Sequence, residues 1–208
     1  MSDYKKILIL DTGIGNVGSV FRAIKNIGYL PIISNNKADF EDVTHIIFPG
    51  VGSFDHGMEK LLEYDLCNIL AEAVIDKKIP FLGICLGMQL LASIGYENNK
   101  ETKGLNFLSG KVEQLDIDTK YKIPHMGWNE VNHDEKNILF QNIQNQKDFY
   151  FVHSYIFKTE NENQITAKTM YGTEFVSAIN KGNIYGVQFH PEKSLSDGIK
   201  LISNFLNI

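Results

Sequence analysis

The chain carries, at residues 80–91, the sequence Pro-Phe-Leu-Gly-Ile-Cys-Leu-Gly-Met-Gln-Leu-Leu. An apolar run enters a Gly-x-Cys-x-Gly segment and continues directly as a second apolar run. This pattern predicts a strand that turns sharply into a helix. Gly83 and Gly87 allow such a turn because they lack a side chain. Cys85 would stand at the bend as a nucleophile, and the positive end of the helix dipole would favour its thiolate form.

The chain contains two cysteines, and their sequence settings differ. Cys85 lies between glycines, and the backbone N–H of Leu86 just after it is placed to bind an oxyanion. The alternative for Cys85 is a buried cysteine that packs as a small apolar residue. That alternative is our prediction for Cys67, which lies within a predicted helix and has no flanking glycines.

Short apolar runs alternate with helical patterns on both sides of residues 80–91. The predicted strands of the first half are 6–11, 29–33, 45–48 and 79–84, and the predicted helices are 17–27, 54–75 and 86–94. Alternation of strands and helices predicts right-handed crossovers. It therefore indicates a parallel sheet with helices on both faces.

Strand patterns follow one another in the second half of the chain. They lie at 110–115, 128–131, 149–152, 155–159, 165–168, 175–180 and 184–189, before a closing helix at 196–206. Residues 181–183 (Lys-Gly-Asn) predict a hairpin between the last two strands. We therefore predict an α/β fold of three layers: a mostly parallel central sheet with flanking helices, and an additional antiparallel strand region in the C-terminal half. Because no linker separates the halves, residues 1–208 are expected to form a single domain.

Composition excludes several classes of protein. The 208 residues include 43% hydrophobic side chains and carry a net charge of −5, so a core can form and intrinsic disorder is excluded. Two cysteines cannot form a disulfide scaffold. No apolar run reaches about 18 residues and no Lys/Arg cluster is present, so we expect neither a membrane nor a nucleic acid as partner. Residues 1–10 lack a signal-peptide pattern, which predicts a cytoplasmic protein with reduced thiols.

A cysteine nucleophile needs a general base and a group that orients the base. Among the six histidines, His190 stands out because it ends a predicted strand, directly before Pro191. Glu192 follows two residues later, close enough to hold the imidazole in one tautomer. A surface or capping role is the alternative for a single histidine. Together with the turn at Cys85, the pattern predicts a Cys85–His190–Glu192 triad.

No cofactor or metal is expected. The histidines at 45, 56, 125 and 133 show no metal-ligand spacing, and the chain has no P-loop. The glycine-rich segment 13–18 follows a strand and imitates a dinucleotide fingerprint. No acidic residue closes a second strand about 20 residues further on, which argues against nucleotide binding.

Two motifs together carry a resemblance to a known family. Residues 83–89 (Gly-Ile-Cys-Leu-Gly-Met-Gln) and 188–192 (Gln-Phe-His-Pro-Glu) resemble the class I, triad-type glutamine amidotransferases. Three further segments narrow the resemblance: 11–16 (Asp-Thr-Gly-Ile-Gly-Asn), 124–129 (Pro-His-Met-Gly-Trp-Asn) and 150–155 (Tyr-Phe-Val-His-Ser-Tyr). With them the chain resembles, nearly end to end, the glutaminase subunits of imidazole glycerol phosphate synthase.

The resemblance implies hydrolysis of glutamine to glutamate and ammonia. Cys85 would attack the side-chain amide, and His190 would protonate the leaving ammonia and then activate water, oriented by Glu192. The implied oxyanion and substrate-binding residues are Gly50, Val51, Gly52, Leu86, Gln89, His153, Ser154 and Tyr155. Glycines on either side of Val51 suit a loop whose peptide turns an N–H inward.

The resemblance also implies a partner. Glutaminase subunits of this family dock on a (β/α)8-barrel cyclase subunit, which uses the ammonia to make imidazole glycerol phosphate and an aminoimidazole carboxamide nucleotide in histidine biosynthesis. Asn16, Trp128 and Asn129 are the implied interface residues of such a heterodimer. A chain of 208 residues leaves little room for an acceptor-substrate domain, which agrees with a separate synthase subunit.

Departures from the family pattern leave alternatives open. Position 12 is threonine where the family often has tyrosine, and residues 92–99 differ from the family's Phe-Glu-x-Ser-Glu-Glu stretch. A paralogous glutaminase that feeds a sugar-modifying barrel enzyme is one alternative. A partner-independent cysteine amidohydrolase is a second, and a non-catalytic binding module is a third. The glutaminase of pyridoxal phosphate synthesis fits less well because segment 124–129 is not its mark.

Overall fold

The computed structural model describes residues 5–97, 100–134 and 136–208. Its strands are β1 (Ile7–Leu10), β2 (Ile32–Ser34), β3 (His45–Gly50), β4 (Phe81–Cys85), β5 (Ile94–Glu97), β6 (Lys100–Lys103), β7 (Gly110–Gln114), β8 (His125–His133), β9 (Lys147–His153), β10 (Tyr155–Thr159), β11 (Ile165–Tyr171), β12 (Thr173–Lys181) and β13 (Ile184–Val187). Its α-helices are α1 (Val17–Ile27), α2 (Phe54–Glu63), α3 (Cys67–Ala71), α4 (Leu86–Gln89) and α5 (Leu195–Leu206). No helix in these ranges is long and apolar enough to span a bilayer.

One large sheet crosses the described residues in the strand order β2-β1-β3-β4-β13-β12-β11-β8-β9. The strands from β2 to β13 pair in parallel, and those from β13 to β9 pair antiparallel. The predicted fold class is confirmed, and antiparallel strands extend the parallel sheet beyond β13. A second, mixed sheet has the order β10-β7-β5-β6, in which β5 and β7 pair in parallel. The hairpin predicted at 181–183 joins β12 to β13, with Gly182 at φ 60°.

Strand β13 decides where the candidate site forms. It lies beside β4 in parallel register, with Gly186 opposite Gly83 and Val187 opposite Ile84. Both strands therefore end at the same edge of the sheet. In open α/β sheets, sites form at the carboxyl ends of the strands. This edge brings residues 188–192 next to the turn at Cys85.

The inner parallel strands β1, β3, β4 and β13 are buried on both faces, which explains their largely apolar sequences, whereas the edge strand β2 is partly exposed. In β1, Ile7 and Ile9 pack with helices α1 and α5 on one face, and Leu8 and Leu10 pack with α2 on the other. All four side chains are fully buried. Burial of each such side chain stabilises the fold by about 1.5–3 kcal/mol. The two helical layers hold the sheet whose edge carries Cys85.

The single long helix predicted over 54–75 is wrong. Helix α2 ends before Asp65, which adopts φ 50°, and the chain restarts as α3. The Leu66 N–H donates to Leu61 O at 2.9 Å and closes the first helix around the left-handed residue. The apolar stripe continues across this break, so periodicity alone did not reveal it. Leu62, an apolar residue within the predicted helix, is 66% exposed.

The helix predicted over 86–94 is also wrong, because α4 covers only its first turn. The carbonyls of Leu90 and Leu91 accept N–H groups from residues 105–108 instead of from a further helical turn. The chain then forms the antiparallel hairpin of β5 and β6. A helix that loses its carbonyls to long-range partners cannot continue.

Smaller differences concern element ends. The second strand lies at Ile32–Ser34 and not at 29–33, and β8 begins at His125, three residues before the predicted start. Asn98 and Asn99, part of the segment that departs from the family pattern, lie outside the described residues.

Candidate active site

Cys85 ends β4 and immediately precedes α4, with φ 55° and ψ −110°. A positive φ strains a residue that has a side chain, by about 1–3 kcal/mol. Two glycines permit the bend: a Cβ on Gly87 would lie 1.9 Å from Phe48 O, and a Cβ on Gly83 would lie 2.5 Å from Gly87 O. The structure therefore contains a sharp strand-to-helix turn, and it places the Cys85 side chain at the carboxyl edge of the sheet.

Helix α4 is shorter than the predicted 86–94 helix, which weakens the expectation that a helix dipole favours the Cys85 thiolate. Its four residues carry a smaller dipole, so the helix contributes less to a thiolate at Cys85 than the sequence suggested. Leu86 is the first helical residue, and its N–H has no carbonyl one turn earlier within the helix. That N–H remains the candidate oxyanion donor beside the nucleophile.

His190 and Glu192 form a buried pair just after β13. His190 Nδ1 lies 2.8 Å from Glu192 Oε1, and the two side chains are 2% and 1% exposed. The His190 backbone is held on both sides: its N–H donates to Tyr150 O at 2.8 Å, and Ser194 Oγ donates to its carbonyl at 2.6 Å. A carboxylate on Nδ1 keeps the hydrogen on that atom, so Nε2 is the atom that exchanges protons.

The surroundings of His190 favour its protonated form. Burial of the ring lowers its pKa, but the Cys85 side chain and the Glu192 carboxylate outweigh burial and raise the pKa above its ordinary value. Nε2 makes no hydrogen bond of normal geometry within the described part of the chain. Contacts of this kind often tighten only when substrate binds. His190 therefore holds a proton that it can give to a leaving group near Cys85.

Gln188 is a site residue that the sequence pattern did not single out. Its fully buried side chain donates from Nε2 to Cys85 Sγ at 3.6 Å and accepts at Oε1 from Gln89 Nε2 at 3.0 Å. Gln89 Nε2 also donates to Tyr155 O at 2.8 Å. The two N–H groups of Gln89 are thus occupied, which leaves its Oε1 for a substrate. The available signal was a glutamine within a buried strand pattern, where an apolar residue is expected.

A cavity of about 160 Å³ lies over Cys85. It is lined by Val51, Gly52, Cys85, Leu86, Gln89, Val152, His153, Ser154 and Tyr155. Most of the predicted oxyanion and substrate-binding residues therefore meet around Cys85, with one exception. Gly50 does not line the cavity but is the ladder partner of Cys85 between β3 and β4.

The loop at residues 49–52 differs from the expectation. The Val51 N–H donates to Ile14 O at 2.6 Å, so it is not available to an oxyanion in this structure. The prediction that this N–H faces the cavity is therefore not met. Gly52 has φ 108°, a conformation that favours glycine, so the loop still depends on the glycine seen in the sequence.

The ring of His153 is also occupied by internal contacts. Its Nδ1 lies 3.0 Å from Tyr155 O, and its Nε2 lies 3.0 Å from His125 Nδ1. The ring can form a wall of the cavity, but its nitrogens are not free to hold a substrate. Ser154 and Tyr155 also line the cavity, so they remain candidates for contact with a substrate.

The three predicted interface residues differ in exposure. Trp128 is 49% exposed and presents a large side chain at the surface. Asn16 and Asn129 are half-buried and have roles within the chain: Asn16 caps α1, and Asn129 donates to a backbone carbonyl of β11 at 3.0 Å. Trp128 is therefore the residue of the three with the most surface available to a partner.

Other candidate reactive groups are less suited to catalysis. Cys67 is half-buried on α3, and burial together with the charge of Asp65 raises its pKa, which disfavours a thiolate. Within residues 5–97, 100–134 and 136–208, no three His, Cys, Asp or Glu side chains are grouped to hold a metal ion.

The fold and the site define an amidotransferase-type enzyme with a cysteine at the strand-to-helix turn, and sequence comparison agrees. Residues 8–208 match the family described as glutamine amidotransferase class-I, and the chain belongs to that family. The resemblance predicted from residues 83–89 and 188–192 is confirmed.

Curated relatives within the family share a subunit name. Imidazole glycerol phosphate synthase subunit HisH 2 of Methanococcus maripaludis is 48% identical over 200 residues, which are 96% of this chain and 98% of the relative. Imidazole glycerol phosphate synthase subunit HisH of Leptospira borgpetersenii is 41% identical over 203 residues, with 96% and 98% covered. This chain is similar to both along nearly its whole length.

Solved structures share the fold. PurLQS of Thermotoga maritima matches with a TM-score of 0.74 at 17% identity, and the match covers 98% of each chain. A Thermoplasma acidophilum protein described as a GMP synthase subunit matches with a TM-score of 0.75 at 19% identity, covering 100% of this chain and 94% of the other. At such identities the likeness concerns the fold alone.

Proposed function

We propose that this chain is a glutaminase subunit that hydrolyses glutamine to glutamate and ammonia and delivers the ammonia to a synthase subunit. The observation that carries the proposal is the strained Cys85 turn beside the buried His190–Glu192 pair, at the edge of one small cavity. Membership of the glutamine amidotransferase family supports the reaction class. In this proposal residues 1–208 act as one catalytic unit.

The proposed chemistry has two stages. Cys85 Sγ attacks the amide carbon of glutamine, and the carbonyl oxygen becomes an oxyanion beside the Leu86 N–H. The C–N bond then breaks, and His190 Nε2 donates the proton with which ammonia leaves. Water attacks the resulting thioester and gives a proton to His190, and glutamate leaves as the Cys85 thiolate forms again. Glu192 keeps Nδ1 protonated throughout, so protons move at Nε2 alone.

The oxyanion site has a second potential donor, the Val51 N–H, which is occupied in this structure. The Val51 N–H can act as a second donor only after its hydrogen bond to Ile14 O breaks. Gly50 and Gly52 flank this peptide, and residues without a side chain ease its rotation. Because one missing oxyanion donor lowers kcat by about 10²–10³-fold, we expect slow glutamine hydrolysis until the loop changes.

The destination of the ammonia is the second part of the proposal. Relatives are named as subunits of imidazole glycerol phosphate synthase, which supports a (β/α)8-barrel cyclase as the partner, in a cytoplasmic heterodimer. That cyclase would make imidazole glycerol phosphate and an aminoimidazole carboxamide nucleotide in histidine biosynthesis. The side chains of Ile123, Met126 and Trp128 are apolar and exposed, which suits docking, and we assign Asn16 and Asn129 to the same interface.

Glutamate release with and without the cognate cyclase tests both parts. We expect Cys85→Ala to abolish release and Cys67→Ala, the matched control, to leave it unchanged. We also expect the cyclase and its nucleotide substrate to raise the rate. Full activity of Cys85→Ala would refute the mechanism. Hydrolysis of γ-glutamyl peptides at a rate indifferent to the cyclase would instead identify a partner-independent amidohydrolase.

A further inference from the structure

Two buried histidines next to the cavity have no part in the chemistry above. His125 on β8 and His153 at the end of β9 are ladder partners, and His125 Nδ1 lies 3.0 Å from His153 Nε2. On one side, His153 Nδ1 lies 3.0 Å from Tyr155 O. On the other, Asn129 Nδ2 lies 3.2 Å from His125 Nε2. A line of hydrogen bonds thus runs from Asn129 to the Tyr155 carbonyl.

The two ends of this line fix every hydrogen within it. A carbonyl can only accept, so the hydrogen of His153 is on Nδ1, facing Tyr155 O. At the other end, Asn129 Oδ1 accepts from the Glu130 N–H at 2.9 Å, and its Nδ2 donates to a carbonyl of β11. Nδ2 must therefore donate to His125 Nε2 as well. His125 then carries its hydrogen on Nδ1 and donates to His153 Nε2, and both rings are neutral.

Burial and stacking favour the same arrangement. Burial lowers the pKa of His125 to about 4. Burial, with smaller contributions from coupling to His125 and His190, lowers the pKa of His153 to about 3. The His125 ring stacks on Phe151 and on Tyr171, with centroids 4.9 Å and 4.0 Å away. A ring packed in this way cannot turn without disturbing its neighbours.

The Tyr155 carbonyl joins this line to the catalytic site. It accepts the His153 Nδ1–H and also the Gln89 N–H at 2.8 Å. Gln89 in turn donates to Gln188, which donates to Cys85 Sγ. A displacement of this one carbonyl therefore reorients the amide that faces the substrate.

We propose that His125 is a positioning residue of the glutamine cavity. Together with Asn129 it holds His153 in one neutral tautomer, and so fixes the Tyr155 carbonyl that orients the substrate-facing amide. This inference rests on the proposed glutaminase function. It gives segment 124–129 a role inside the subunit, and it connects the surface at Asn129 to the floor of the cavity.

Kinetics of His125 variants test the proposal. His125→Phe keeps an aromatic ring but removes both nitrogens, and we expect KM for glutamine to rise about tenfold with a smaller change in kcat. His125→Gln keeps one donor and one acceptor and should recover most of the loss. His133→Phe is the matched control, because His133 is a buried histidine of the same strand whose ring nitrogens have no hydrogen-bond partner among the described residues. An unchanged KM in His125→Phe would overturn the proposal.

Nitrogen-15 NMR of the histidine rings gives a readout that does not depend on activity. We expect His125 and His153 to remain neutral Nδ1–H tautomers between about pH 5.5 and 8. An Nε2–H tautomer or a protonated ring in this range overturns the proposal. If the wild-type protein releases no glutamate with its partner present, the proposed function fails. The observed tautomers would still test the proposed hydrogen bonds from Asn129 to the Tyr155 carbonyl. If Cys85 is alkylated at the same rate in His125→Phe as in the wild type, a folding defect is excluded as the cause of a raised KM.

Discussion

Alanine at position 87 places a methyl group where the backbone of the adjacent strand passes. The added Cβ would lie 1.9 Å from Phe48 O, whereas an ordinary contact begins at 3.4 Å. Helix α4 and the end of β3 must therefore separate by about 1.5 Å to relieve the overlap. Strand β3 cannot move alone, because Phe48 pairs with Gly83 and Gly50 pairs with Cys85 across the ladder. Relief of the contact thus displaces Cys85, the proposed nucleophile.

The displacement affects both stability and catalysis. Overpacking of a core costs about 1–3 kcal/mol, and a contact with backbone places Gly87→Ala at the upper end of that range. We therefore expect the free energy of unfolding to fall by about 3 kcal/mol. A misplacement of about 1 Å can lower turnover by 10²-fold, so we expect kcat/KM for glutamine to fall by at least about 100-fold.

Gly18→Ala is the matched control for this substitution. Gly18 lies in α1, and a Cβ there would meet only Arg22 Nη1, at 3.6 Å. Alanine in a helix is favoured over glycine, so stability should rise by about 0.5 kcal/mol with unchanged glutaminase activity. Urea unfolding and glutamate release measure both variants. A Gly87→Ala protein with the wild-type unfolding midpoint and rate would refute the steric explanation of the turn.

Glu192→Gln should lower kcat by about 10²–10⁴-fold with little change in KM, because the imidazole loses the carboxylate that holds its tautomer; glutamate release measures the effect, and a wild-type kcat would contradict it. Iodoacetamide labelling followed by mass spectrometry should modify Cys85 before Cys67, because burial and a neighbouring carboxylate raise the pKa of Cys67. The reverse order would contradict the assignment of Cys85 as the nucleophile. Lowering the pH from 7 to 5 should reduce the free energy of unfolding by up to about 2 kcal/mol through His125. His125 binds a proton near pH 6.5 in the unfolded chain but only near pH 4 in the folded chain, so stability is lost as the pH falls through this window. Urea unfolding at pH 7 and pH 5 should show a smaller loss of stability for His125→Gln than for the wild type.

Elements governed by local rules could be predicted from the sequence. Helix α1 has the predicted bounds because its apolar spacing is regular, Asn16 caps its start and Gly28 ends it in a left-handed conformation. The turn at Cys85 could be predicted because its steric requirement appears in the sequence as two glycines. The structure brings residues 188–192 next to Cys85 because β4 and β13 are parallel neighbours that end at the same edge of the sheet.

The remaining features depend on contacts that no local pattern records. Leu90 and Leu91 lose their helical partners to residues far along the chain, so the length of α4 is set by tertiary structure. The Val51 N–H is occupied by a carbonyl from another loop. His125 meets His153 only through the register of β8 and β9. None of these contacts follows from periodicity, because each joins segments separated in sequence.

The position of β13 in the sheet also bears on the order in which a newly made chain acquires reactivity. This strand lies at the centre of the sheet, beside β4, although about 100 residues separate the two in sequence. Contacts between such distant segments form late, because closing a long loop costs entropy. A growing chain that contains Cys85 but not yet residues 184–192 lacks the His190–Glu192 pair that we propose as its base. Under the proposed mechanism, protein synthesis therefore yields an unreactive cysteine first, and its activation requires the insertion of one strand.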